Sequence, residues 1–369
     1  MKVKKIAALG ASLLLAVPMA ACGSSDESNN AEIGKNIEQI AELAKEEGDV
    51  NLIALPETWA NYGGQLKNFK DTYGVNYTVD SPDASSAEEL QAVKNLKGQP
   101  KQPDSIDIGY SFTNAAKQQD LIDEYKPSHW DDIPDNLKDP DGKWVGSYYG
   151  VITVGVNKKN ADVPNSFKDL LDPKYKGKIA LPGDPRTGAS SIATVFAASL
   201  ANGGSLDDIA PGIDFFAKLA ESGNLVPTSD PVNALTTGEA SVVFDWNYNW
   251  KGAEDKLRAD GVDFESKVLE DGVFGTYYAQ SVTTDAPHPN AARLWLDWLT
   301  SDEGSEQYAL GGAVPARFNQ LVEEGKLSEQ AQAALPDAET LKKVQLPTPE
   351  QGDAANKVIA SEWTNKVKY

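Results

Sequence analysis

Ile179-Ala180-Leu181-Pro182-Gly183-Asp184-Pro185-Arg186-Thr187-Gly188-Ala189-Ser190-Ser191 passes from a short apolar run, through a loop rich in Gly and Pro, into a helical pattern that continues to Ala201. The apolar run, bounded by turn residues, fits a buried strand over 179–181. The last loop residues then lie at a helix N-terminus, where backbone N–H groups lack partners inside the helix. Strand, tight loop and helix in that order predict an α/β architecture.

The alternation extends in both directions. Val50–Leu55, Val75–Val79, Ser105–Ile108, Gly150–Val156 and Ser241–Phe244 read as buried or half-buried strands. Helices are predicted over Leu66–Tyr73, Ala87–Leu96, Ser190–Ala201, Leu206–Glu221, Lys251–Ala259, Ala291–Thr300 and Ala354–Asn365. Ile33, Ile37, Ile40, Leu43 and Ala44 share one face of an earlier helix closed by Glu46-Glu47-Gly48. No repeat is visible at the spacing of solenoids. The length of 369 residues predicts about two domains.

Composition removes several functions. The chain carries 34 Lys+Arg against 55 Asp+Glu, a formal net charge of -21, so duplex nucleic acid is a poor partner. With one Cys and two His, a Cys/His zinc cage is impossible and no metal or cofactor is expected. Acidic pairs such as Asp131-Asp132 and Asp207-Asp208 read as solvated surface, and Asp139-Pro140-Asp141-Gly142 as a turn. There is no GxSxG elbow, Walker A loop, GxGxxG after a strand or HExxH. No enzyme activity is expected.

The N-terminus carries an export signal. Lys2, Lys4 and Lys5 precede the apolar run Ile6–Val17, which is short for a bilayer span. The run ends Met19-Ala20-Ala21-Cys22-Gly23 and leads into the polar Ser24-Ser25-Asp26-Glu27-Ser28-Asn29-Asn30. This resembles a bacterial lipoprotein signal over residues 1–21, with Cys22 as the lipidated first residue of a flexible tether over 22–30; Met19 stands where Leu is usual. Such an anchor places the protein on the outer face of the cell membrane or in a periplasm.

Phe167-Lys168-Asp169-Leu170-Leu171-Asp172-Pro173-Lys174-Tyr175-Lys176-Gly177-Lys178-Ile179-Ala180-Leu181-Pro182 resembles the segment by which extracellular solute-binding proteins of ATP-binding-cassette (ABC) importers enter their second lobe. Gly48–Ile53 is similar to that family's opening strand, Tyr148–Asn157 to its first interlobe crossing, and Thr237–Val243 to the strand before its central binding segment. Ala291–Ser305 is similar to the helix after the return crossing, and Pro336–Leu341 to the tail of the polyamine-binding branch. The resemblance covers essentially the whole mature chain.

It implies a type II two-lobe α/β fold, with ligand in the interlobe cleft and hinge closure on binding. Lobe one is expected at 31–153 plus 278–315 and lobe two at 154–277 plus 316–369. The implied protein is a monomeric receptor that passes a small solute to importer permease subunits. A polyamine-like cation or an amine-bearing zwitterion is the expected solute, with ferric iron, thiamine or a phosphonate as alternatives. A secreted hydrolase or lyase on the same scaffold would need a positioned nucleophile or base, and neither His129 nor His288 lies in a candidate site.

The resemblance also nominates the ligand contacts. Glu57 and Trp59 follow the first strand, Ser111 and Phe112 follow the third, and Asp184, Arg186 and Ser190 lie in the loop before the lobe-two helix. Ser111 or Thr113 can instead cap a helix, and Arg186 can pair with Asp184. Trp246 and Tyr248 stand where the family has its central Trp, on one face if the strand continues through them. Tyr278 and Gln280 align with a Trp and Asp pair, so Gln280 removes one charge. Trp295 and Trp298, at i and i+3 among leucines, read as core.

Cys22→Ser should release the protein from membranes into the medium while leaving solute binding intact. Retention of the variant in washed membranes at the wild-type level would remove the lipid-anchor assignment.

Overall fold

The computed structural model describes residues 32–228 and 230–368, so the signal segment and Cys22 lie outside the described residues. Its strands are β1 (Asp49–Ile53), β2 (Asn76–Asp80), β3 (Ser105–Gly109), β4 (Val145–Asn157), β5 (Ile179–Ala180), β6 (Leu225–Val226), β7 (Val242–Trp246), β8 (Phe264–Lys267), β9 (Gly275–Val282) and β10 (Val314–Pro315).

All thirteen residues of β4 are buried, and the strand is shared by two sets of partners. Tyr148–Val151 pairs antiparallel with β9, and Tyr149 faces Val314 of β10. From Ile152 onward the partners change to β7, with Ile152 opposite Trp246, and to β8 on the other edge. The resulting order is β3-β9-β4-β7-β5-β6, with β5 parallel to both β6 and β7. Val151, Ile152, Val154 and Val156 suit a strand covered on both faces. Gly150 and Gly155 let aromatic rings lie against it. A Cβ at Gly150 would fall 2.5 Å from the Tyr248 ring, and one at Gly155 2.7 Å from Trp250.

Helices cover this sheet. Ala189–Ala201 and Ala210–Glu221 pack together beside β5 to β7, over a phenylalanine cluster in which Phe167 stacks on Phe244 at 5.4 Å. On the β3 and β9 side, the helix Pro289–Thr300 is buried along its whole length. Trp295 meets Phe69 edge to face at 5.2 Å, and Trp298 Nε1 donates to Gln65 Oε1 at 2.8 Å, the core role read from sequence. The parallel pair β1 and β2 is tied to the chain entering β3 by Asp104, whose N–H donates to Asn51 O at 2.8 Å.

The sequence expectations for six strands and eight helices are met within a few residues at most ends. The first helix starts at Ile37, because the Asn36 side chain accepts Gln39 N–H and caps it there. The shared face of Trp246 and Tyr248 is corrected: β7 ends at Trp246 and a helix runs Asn247–Ala259. Asp245 Oδ1 accepts both Trp246 N–H and Asn249 Nδ2, which turns the chain out of the strand. Asp139–Gly142 is the expected turn, closed by Gly142 N–H to Asp139 O at 2.8 Å, with Gly142 at φ 82°. The short strands β6, β8 and β10 escape a search for apolar runs, since β6 and β10 have two residues each and three of the four residues of β8 are polar.

Asp104 generates a pH prediction. Its buried carboxylate accepts Asn51 N–H at 2.6 Å, His288 N–H at 2.6 Å and the His288 imidazole Nδ1 at 2.8 Å. That hydrogen bond raises the His288 pKa above its usual value, outweighing partial burial. A raised folded-state pKa gives stability that is complete below the unfolded value of about 6.5 and is lost as pH rises through the folded value. The urea midpoint of wild type should therefore exceed that of His288→Gln by more at pH 5.5 than at pH 8.5. A constant difference across that interval would exclude the ion pair as its source.

Candidate ligand site

Two cavities of about 390 and 380 Å³ meet where strand ends and helix starts converge. Ser86, Phe112, Thr187, Ala189 and Tyr278 line both, so the two form adjoining chambers of one cleft. The first chamber is completed by Trp59, Glu89 and Asp107, and the second by Tyr110, Ile192, Phe196 and Tyr277. Clefts at the ends of sheet strands are the usual ligand sites of such folds.

The chemistry of the first chamber centres on two buried acids. Asp107 sits within β3, and Glu89 lies on the helix Ser86–Asn95, which starts in a capping box made by Ser85 and Glu88. Glu89 Oε2 accepts the backbone N–H of Asp107 at 2.9 Å, and Ser86 Oγ accepts Gly109 N–H at 3.0 Å, which fixes helix to strand. Asp107 Oδ2 accepts Tyr62 OH at 2.7 Å and, more weakly, Tyr148 OH at 3.4 Å. Asp107 Oδ1 accepts Gln280 Nε2, whose own Oε1 takes Ser147 N–H at 2.8 Å and Ser147 Oγ at 2.7 Å.

These contacts oppose the effect of burial. Loss of water pushes the Asp107 pKa up to about 6, with the Tyr62, Gln280 and Tyr148 donors holding it down. Glu89 is pushed well above the usual carboxylate range by burial and then by the neighbouring Asp107 charge. Two acids this close and this dry repel one another, and a cation beside them relieves both penalties.

Aromatic rings form the chamber's upper wall. Trp59 packs against Tyr248 at 5.1 Å and meets Tyr278 edge-on at 5.5 Å and 81°. Tyr148 stacks parallel to Tyr278 at 6.1 Å and against Tyr308 at 4.6 Å. Trp59 Nε1 donates to Tyr148 OH at 2.8 Å, so the indole is held by one of the two phenols that serve Asp107. Burial raises the pKa values of Tyr148, Tyr248 and Tyr278, so these phenols stay protonated.

The opposite wall is the loop 183–188 and the start of the helix Ala189–Ala201. Thr187 N–H and Gly188 N–H donate to Asp184 O at 3.1 and 2.8 Å, and Gly183 adopts φ 140°. Arg186 grips the Asp184 carboxylate and donates to Thr364 Oγ1 at 2.9 Å.

Four sequence candidates, Trp59, Ser111, Phe112 and Tyr278, reach the two chambers, and Arg186 reaches the edge of the second. Tyr248 is buried behind Trp59, and Trp246 is buried with its ring stacked on Tyr248 at 6.1 Å. Gln280 is buried behind Asp107 and acts on the cleft only through that acid. Ser190 is half-buried at the helix start, its carbonyl accepting Thr194 Oγ1. Ser111 does not cap the helix that follows it; Thr113 Oγ1 instead bonds back to Tyr110 O at 2.8 Å. The expectation that Glu57 faces ligand is corrected: the turn closed by Trp59 N–H on Pro56 O brings the indole inward and leaves Glu57 exposed. Asp184 is likewise corrected, since it is paired with Arg186 and lines neither chamber.

Glu89 and Asp107 were missed by sequence reasoning. Asp107 is an acid at the centre of the apolar run Ser105–Ile108, and a charge inside a strand predicted to be buried was the available signal. Glu89 had none, as it looks like any surface acid of a capped helix.

The pattern of a protein family described as bacterial extracellular solute-binding protein matches residues 104–344. A Haemophilus influenzae protein of uncharacterized function is 26% identical over 255 residues, 65% of this chain and 69% of that one. Among solved structures, the periplasmic binding protein AfuA of Actinobacillus pleuropneumoniae, bound to fructose-6-phosphate, superposes with a TM-score of 0.65 at 20% identity, covering 86% of this chain and 98% of that one. The spermidine/putrescine transporter substrate-binding protein PotD of Streptococcus pneumoniae gives 0.64 at 14% identity, covering 87% and 99%. At those identities the superpositions establish the two-lobe periplasmic-binding-protein fold. With the family pattern spanning well over half its length, the chain belongs to the bacterial extracellular solute-binding proteins.

Proposed function

We propose that this protein is the receptor of an ABC importer and captures its solute through a positively charged ammonium group seated at Glu89 and Asp107. The carrying observation is the pair of buried carboxylates on the wall of a cleft roofed by Trp59 and Tyr278. Charge-assisted hydrogen bonds and cation-π contact act together there, away from competing water. The cation preference read from sequence is kept as part of this proposal, with Glu89 and Asp107 in place of Glu57 and Asp184. Release to importer permease subunits and a lipid on Cys22 complete the assignment. The receptor reading is favoured over a hydrolase by the two imidazoles, since His129 faces Asp132 at the surface and His288 is held by Asp104.

Glu89→Gln should weaken binding of putrescine and of 2-aminoethylphosphonate about tenfold or more in calorimetry, the scale of one lost charge-assisted hydrogen bond. Asp184→Asn should change either by less than about twofold, and the opposite ranking would return the site to the 184–190 loop. Wild-type affinity should also fall about tenfold from pH 7.5 to pH 5, as Asp107, with its pKa near 6, takes up a proton and loses its charge. A flat profile over that range would separate Asp107 from binding.

Closure is proposed about the crossings near Val151–Gly155 and Tyr278–Thr283, where β4 exchanges one set of partners for another. Small-angle scattering should give a smaller radius of gyration at saturation with a bound amine. An unchanged radius would mean that the cleft binds without closing.

A further inference from the structure

The second chamber differs from the first in kind. Its lining includes Tyr110, Phe112, Ile192, Phe196 and Tyr277 and, among the described residues, no Asp or Glu. Its one cationic side chain among the described residues is Arg186, whose guanidinium sits on Asp184. The carboxylates of the cleft all line the other chamber, where Asp83 joins Glu89 and Asp107. Tyr110 is fixed in place by the C-terminal helix Pro349–Lys366, since a Cβ at Gly352 would lie 2.7 Å from its ring. Phe196 is fixed by stacking on Phe274 at 4.8 Å. Tyr110 and Phe196 are thus packed from behind, while Ser111, Thr276 and Asn356 supply polar atoms to the same lining.

We infer that the solute is an amine with one ammonium group and an apolar body, the ammonium at Glu89 and Asp107 and the body in the chamber of Tyr110, Ile192 and Phe196. This deepens the preceding proposal and rests on it. Phe112, Ala189 and Tyr278 line both chambers, so the two adjoin, and the inference places one molecule across them. A diamine fits poorly, because its second ammonium would lose water in a chamber that has no carboxylate and has a guanidinium at its edge. An apolar body gains from the same surroundings, about fourfold in affinity for each CH2 buried.

Calorimetry with propylamine, pentylamine and putrescine tests the assignment, because putrescine is pentylamine with its terminal methyl replaced by a second ammonium. Pentylamine should bind about tenfold or more tighter than propylamine and tighter than putrescine. Ile192→Asp adds an acid to the first turn of the helix Ala189–Ala201, where negative charge is tolerated, and should move the preference toward putrescine. Ser111→Asp places an acid on the facing wall and gives a second variant should the first not fold. If putrescine binds wild type as well as pentylamine does, the apolar-body assignment is overturned while the ammonium site stands. If none of the three amines binds, the ammonium site and this inference both fall.

Discussion

Every backbone polar group of a buried strand needs a partner, and β4 meets that demand by belonging to two halves of the sheet in turn. Its first half is satisfied by β9 and β10, and its second by β7 and β8. A strand built this way cannot slip by one residue without turning Tyr148 and Val151 to the wrong faces. The register of β4 sets Tyr148 opposite Tyr278 and beside Asp107, two residues that line the cleft. Gly150 and Gly155 are the local condition, since any side chain there would displace Tyr248 or Trp250.

The second organising feature is the cost of keeping Asp107 dry and charged. A lone buried carboxylate would take up a proton, and the donors Tyr62, Tyr148 and Gln280 are what hold it near a pKa of about 6. These donors come from three separate elements, namely the helix Tyr62–Tyr73, β4 and β9. One of them, Tyr148, also fixes Trp59, so charge and aromatic wall form one assembly. A site organised before ligand arrives loses little further order on binding. Gln280, which looked from sequence like a lost ligand charge, is better understood as a support that orients the charge that is there.

Much of the fold was legible because burial writes a period into sequence. Apolar runs at Gly150–Val156 and Ser241–Phe244, and helical spacing at Ala291–Thr300, identify buried elements wherever they fall in space. Order and spacing of such segments carried the family resemblance and the two-lobe fold. The composition alone excluded a Cys/His metal cage and made duplex nucleic acid a poor partner.

The site was only partly legible, and the division has a physical cause. Aromatic candidates such as Trp59 and Tyr278 could be found because large apolar rings near strand ends must pack somewhere, and a cleft is one of few places available. Acids carry no such mark: Glu57, Glu89 and Asp184 look alike along the chain, and only the packed structure buries one of them, exposes another and pairs the third with Arg186. Sequence determined the architecture, because hydrophobic periodicity is a local property of each segment. Tertiary structure decided which charges line the cleft, because desolvation and hydrogen bonding arise between β3, β9 and the helix Ser86–Asn95, segments far apart in the chain.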